Sequence, residues 1–212
     1  VIEALAVIIG YLLGTIPTAY LVTRLWKDYD IRKLGGGNVG FMNVFREVGI
    51  APALIVVSID IGKGAAAIAI ARWGLNASDA FVLLAGLAAV IGHNWMPWLK
   101  FSGGKGMAAA IGIIITLFLA YGYPLLLLIF IAIVLVPLLI THNIALSMAI
   151  GLISLPFIVW FGTGSAFAAI MAAVLFLISF IKFLPTGLAA LQKSRRKKDF
   201  IFDTFKGKEK KT

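Results

Sequence analysis

Seven apolar runs, each closed by a short polar or glycine-bearing turn, leave this chain few folds to choose from. They cover residues 2–25, 51–71, 80–99, 107–120, 125–140, 144–160 and 166–184. A helix needs about 20 apolar residues to cross a bilayer, and five of the seven runs approach or reach that length. The first is interrupted by "GTIPTAY" at residues 14–20, and the fourth is short for a complete span. The expected fold is all-α: a polytopic integral membrane protein of about seven transmembrane helices. Composition agrees. Of the 212 residues, 61% are hydrophobic and 13% are charged, against about 25% charged in an ordinary soluble domain. We expect one transmembrane domain over residues 1–185 and a basic cytosolic tail over residues 186–212. No basic region precedes the first apolar run, so no cleavable signal peptide is evident. Cysteine is absent and histidine occurs only twice, which excludes disulfides and argues against a zinc site.

Seven spans put the two termini on opposite sides, and cation placement selects the direction. With the N-terminus outside, residues 26–49, 100–106, 141–143 and the tail face the cytosol. Arg72 is then the only Lys or Arg near an outer loop. The net charge of +10 is concentrated in "KSRRKKDF" (193–200) and "KGKEKK" (206–211). We read these as a topology signal that touches anionic lipid. No aromatic platform or folded module accompanies them, so nucleic acid is not an expected partner.

The loop at 34–43, "LGGGNVGFMN", carries G-x-G-x-x-G at Gly35, Gly37 and Gly40. A dinucleotide-binding turn needs an apolar strand before it and a βαβ unit around it. The preceding residues are "DYDIRKL", and no such unit fits between two membrane spans. What survives is either a flexible connector or a turn whose backbone N–H groups cradle an anion. A second glycine loop, "SGGKGMAAAIG" (102–112), places Gly103, Gly104, Lys105 and Gly106 at the head of a helix. Free N–H groups and the helix dipole favour an anion there. It is not a nucleotide-binding P-loop, because Gly106 follows Lys105 where Ser or Thr would bind magnesium. Asn38 and Asn43 offer amide donors and acceptors nearby. Arg46 can grip a phosphate through its two-pronged guanidinium. His93 and Asn94 stand in "GHNWMPW", where Trp95 and Trp98 read as interface anchors. Asp60 and Lys63 lie in an otherwise apolar run, three residues apart on one helix face. They form either a self-neutralising pair or a substrate contact. No hydrolytic motif is present, so an enzyme built this way needs an already activated substrate, such as an acyl phosphate.

In order along the chain, these strings resemble the acyl-phosphate:glycerol-3-phosphate acyltransferase (PlsY) family. "LGTIPTAYLVTR" (13–24) is similar to its first helix. Gly37, Asn38, Gly40, Asn43 and Arg46 fit its motif S-G-N-x-G-x-x-N-x-x-R. "DIGKG" (60–64) and "GHNWMPWLKFSGGKGMA" (92–108) resemble its second helix and second motif. The resemblance implies a multi-pass enzyme of the bacterial plasma membrane with a cytosolic active face and no cofactor or metal. Its substrates would be acyl phosphate and glycerol 3-phosphate, its surroundings membrane lipids, and its product lysophosphatidic acid. Lys105, Arg46 and Asn43 would be catalytic. Asn38, Gly37, Gly40, Gly103, Gly104, Gly106 and His93 would bind substrate. Two motifs depart from the pattern. Gly36 stands where the first motif has Ser, and Leu184 and Gly187 stand where a third motif, H-x-x-N, would fall. The same loops also fit a membrane protein that binds or moves an anionic lipid without chemistry, or an inactive paralogue.

Overall fold

The computed structural model describes residues 1–193 of the chain. Among them every regular element is helical, and six helical segments are long and apolar enough to cross a membrane: Ile2–Lys27, Ile50–Gly74, Asp79–Leu99, Pro124–Thr141, Ile144–Thr163 and Ala166–Ala189. Met107–Ala120 is a shorter apolar helix. The all-α, multi-span expectation therefore holds, with the fourth run short as its length predicts.

The described residues fall into two compact units, dividing after Tyr123. The first contains α1 (Ile2–Gly14), α2 (Thr18–Lys27), α3 (Phe41–Glu47), α4 (Ile50–Ala69), α5 (Asp79–Asn94) and α6 (Met107–Ala120). The break between α1 and α2 falls at the "GTIPTAY" string, where Pro17 has no N–H to continue the ladder. Helix α1 packs on α5, and α4 packs on α6. Both contacts are backbone-close. A Cβ on Gly14 would overlap the Ala89 carbonyl, and one on Gly64 would overlap the Ala109 carbonyl. Small residues at such crossings are the usual way that apolar helices associate without a hydrophobic driving force.

Residues 26–49 are expected as a polar loop, yet they fold. Ile31–Lys33 makes a 3-10 turn and α3 follows. The reason is a small apolar core beneath the charges. Ile31, Val39 and Val44 are buried against Ala19 of α2, Ala53 and Val56 of α4, and Met96 and Leu99. Arg32 closes the turn from outside. It makes a fork with Asp30, with Nη2 2.7 Å from Oδ2, and lies over the Tyr20 ring at 5.4 Å. That guanidinium holds the Asp30 carboxyl down at about 2. At the far ends of α4 and α5, Arg72 stacks on Tyr121 at 4.0 Å, and both reach Asp79.

The second unit contains α7 (Pro124–Thr141), α8 (Ile144–Thr163) and α9 (Ala166–Lys193), in consecutive antiparallel contact. Asn143 caps α8 by accepting from Leu146 N at 3.0 Å. Helix α9 continues through Pro185 to Lys193, into the stretch expected as the basic tail. Leu184 and Gly187 are helical positions within it, Leu184 exposed. The rest of the tail, residues 194–212, lies outside the described residues.

Candidate functional site

The polar residues of the first unit gather where the C-terminus of α5, the N-terminus of α6 and the short helix α3 come together. The glycine loop of residues 102–106 folds back on the end of α5. Gly104 N donates to His93 O at 3.0 Å. Gly103 lies against the His93 and Asn94 carbonyls, and Gly104 lies against the His93 ring, so closely that a Cβ on either would overlap them. Gly106 caps α6 at φ +74°. The first-turn N–H groups of α6 have no carbonyl ahead of them in the helix, and no side chain caps them. Lys105 is half-buried in this loop. Burial, reinforced by the Arg46 charge, brings its ammonium down to about 8. Arg46 stands in the last turn of α3. The Arg46 charge is thus felt at Lys105, although the two residues come from separate segments.

The first glycine loop uses its amides differently from the sequence expectation. Gly37 N closes a turn onto Leu34 O at 2.9 Å, with Gly37 at φ +70°. Gly36 N donates to Asn43 Oδ1 at 3.3 Å. The Asn43 amide nitrogen donates to Ile31 O, Leu34 O and Asn38 O at 3.2, 3.0 and 3.0 Å. Asn43 is buried and committed to the loop, so its geometry is that of a positioning residue, not of a group aimed at substrate. Gly40 is extended and precedes α3. Asn38 packs beside it, its Nδ2 3.1 Å from where a Gly40 Cβ would lie. The picture of consecutive free N–H groups thus fails at Gly36, Gly37 and Gly104. Their donors hold the loops in shape, and the first turn of α6 is without a side-chain cap.

His93 is buried, with Nδ1 3.7 Å from Asp60 Oδ1. Asn94 is fully buried and neither atom of its amide has a hydrogen-bond partner. Its Oδ1 lies 3.0 Å from the position that a Gly106 Cβ would take. It was not among the expected site residues, although "GHNWMPW" displays it next to His93. An uncompensated buried amide costs about 1–3 kcal/mol, and that cost was the signal available only after burial was known. Among the described residues no group of three or more His, Cys, Asp or Glu could hold a metal ion.

Membrane-length helices that gather cations, amides and a glycine turn at one set of helix ends define a class: an integral membrane enzyme with its polar chemistry at one end of a helical unit. The model of the family described as glycerol-3-phosphate acyltransferase matches residues 4–186. Glycerol-3-phosphate acyltransferase 1 of Dehalococcoides mccartyi is 46% identical over 206 residues, which is 97% of this chain and 99% of that protein. A glycerol-3-phosphate acyltransferase of Synechococcus is 42% identical over 156 residues, 74% of each chain. The crystal structure of PlsY (YgiH), an integral membrane glycerol 3-phosphate acyltransferase in its glycerol 3-phosphate form, superposes with TM-score 0.80. It is 27% identical and covers 90% of this chain and 92% of that one. The chain belongs to the glycerol-3-phosphate acyltransferase family.

Proposed function

We propose that the chain transfers a fatty acyl group from acyl phosphate to the sn-1 hydroxyl of glycerol 3-phosphate. The products are lysophosphatidic acid and inorganic phosphate. The hydroxyl oxygen forms the new ester bond to the acyl carbon, and the bond from that carbon to the phosphate oxygen breaks. The hydroxyl proton leaves with the phosphate, whose oxygen serves as base. What supports this reading above all is the family match over residues 4–186, together with a relative 46% identical over 97% of the chain. Lys105 and Arg46 hold the donor phosphate and take up charge as it departs. Asn38, Gly103, Gly106 and the buried amide of Asn94 complete the polar surround. Asn43, Gly37, Gly40, Gly104 and His93 keep it in shape. We place the site on the cytosolic face of the bacterial plasma membrane, with the N-terminus outside, because the cations of residues 24–46 and 100–105 share that end.

A second reading draws on Leu184 and Gly187, which stand where the resemblance leads one to expect His and Asn: an anion-binding protein without turnover. The test is an assay of the purified full chain in lipid with acyl phosphate and glycerol 3-phosphate. The acyltransferase reading requires phosphate and lysophosphatidic acid to appear in equal amounts. Saturable binding of glycerol 3-phosphate with neither product supports the second reading instead.

The pH dependence follows from Lys105. Its ammonium is charged below about 8 and is lost as the pH rises through that value, so kcat/KM should fall along an alkaline limb centred there. A bound phosphate stabilises the ammonium, so the limb of kcat lies at higher pH. Lys105→Arg keeps its charge to above pH 12 and should lose the limb, whatever its rate. A flat wild-type profile from about pH 7 to about pH 9.5, a window on both sides of that titration, would contradict the assignment.

A further inference from the structure

Asp60 and Lys63 have no part in the chemistry above, yet they are the buried ion pair of α4, with Nζ 2.8 Å from Oδ1 and both side chains nearly inaccessible. A charge at membrane depth is costly unless it is paired and fully hydrogen-bonded. This pair reaches in two directions. Toward the first span, Thr18 Oγ1 donates to Asp60 Oδ1 at 2.8 Å, and Lys63 Nζ donates to Ile16 O at 3.2 Å. Both partners flank Pro17, so the pair satisfies backbone and hydroxyl groups in the break between α1 and α2. Toward the site, the same Oδ1 faces His93 Nδ1 at 3.7 Å. His93 in turn meets the glycine loop twice. Its carbonyl accepts from Gly104 N, and its Nε2 packs against Gly104 where a Cβ would stand.

A helix break, an ion pair, an imidazole and the Lys105 loop thus follow one another through the first unit, the step from Asp60 to His93 being a 3.7 Å approach and not a hydrogen bond. We propose that Asp60 and Lys63 are positioning residues for acyl transfer, which act through His93 to hold the loop of residues 102–106 at the mouth of α6. This rests on the acyltransferase reading of the site. The ion pair touches no substrate. Asp60 fixes the imidazole, the imidazole fixes the loop, and the loop fixes Lys105. Displacement of a catalytic group by about 1 Å from a remote change can cost as much as 100-fold in rate.

The pair must be removed together, because Asp60→Asn alone strands the Lys63 charge. The Asp60→Asn/Lys63→Met variant, His93→Gln and their combination are compared with wild type in two measurements. One is kcat/KM for acyl transfer, and the other is hydrogen exchange of the amides of residues 102–106. The neutral-pair variant should lose about tenfold or more in kcat/KM, and its loop amides should exchange faster. The triple variant should be no worse than His93→Gln alone, since the effect passes through that ring. Thr18→Val, which keeps both charges, supplies a milder probe should the neutral pair fail to fold. It should lower kcat/KM in wild type but leave His93→Gln unchanged. Wild-type rates and exchange in both the neutral-pair and Thr18→Val variants would overturn the proposal, as would losses that multiply in the triple variant. Were wild type itself to show no transfer, the acyltransferase reading would fall, while the exchange measurement would still decide whether the pair holds the loop.

Discussion

Lys105→Ala should lower kcat/KM for acyl transfer by roughly 10²–10³-fold, the usual effect of deleting one group that stabilises developing charge in a dry site. Three observations converge on that size of effect. Lys105 is half-buried, so its charge acts in a medium less screening than water. Its ammonium is held down to about 8, first by burial and then by the Arg46 charge, so a second cation is felt at the same group. It also precedes Gly106, the cap of α6, so the helix dipole adds to the same field. The loss should fall on kcat as well as KM, because the departing phosphate gains charge during the reaction. Thermal stability should be unchanged or slightly raised, since a disfavoured charge is removed. A variant that retains wild-type turnover in the coupled phosphate and lysolipid assay would remove Lys105 from the mechanism.

Gly103→Ala should be nearly as damaging by a different route. The added Cβ would sit against the His93 carbonyl oxygen and the Asn94 carbonyl carbon and oxygen. Those are backbone atoms at the end of α5, not the far end of a flexible side chain. Overpacking of this kind costs about 1–3 kcal/mol, occasionally more, and here the relief must come from the loop. Its displacement carries Lys105 with it and weakens the Gly104–His93 hydrogen bond. The expected result is folded protein with a lower midpoint of thermal unfolding and kcat/KM reduced by about 100-fold, the scale for a misplaced catalytic group. Gly36→Ala serves as the control, because a Cβ there meets nothing within 4 Å. Equal activity in the two variants would show that the tight seat of the loop is irrelevant.

The spans were legible because each apolar run is long enough to decide its own fate, and the "GTIPTAY" interruption named the helix break in advance. The folded character of residues 26–49 was not legible. Its core is assembled from Ile31, Val39 and Val44, spaced irregularly among charges, and their partners Ala53, Val56, Met96 and Leu99 come from elsewhere in the chain. The loops' residue types announced a polar site, but not the use of each group. Asn43 looked like a substrate contact because a sequence shows an amide without its partners, and three carbonyls of its own loop take that amide. The Asp60–Lys63 spacing on one helix face was visible from the sequence alone. Its links to Ile16, Thr18 and His93 were not, since the partners lie 47 and 42 residues away for the first two. The last apolar run ends at residue 184, whereas α9 continues through Pro185 to Lys193, since a helix accommodates proline when its neighbours allow.

The central claim is that Arg46 of α3 and Lys105 of the second glycine loop hold one phosphate between them. A double-mutant cycle on kcat/KM for acyl transfer, with Arg46→Ala, Lys105→Ala and the pair, tests it most directly. If they share the anion, the double variant loses less than the product of the single losses, by a coupling of about 1 kcal/mol or more. If the two losses simply multiply, or if Arg46→Ala leaves the rate unchanged, the two cations do not grip a common phosphate.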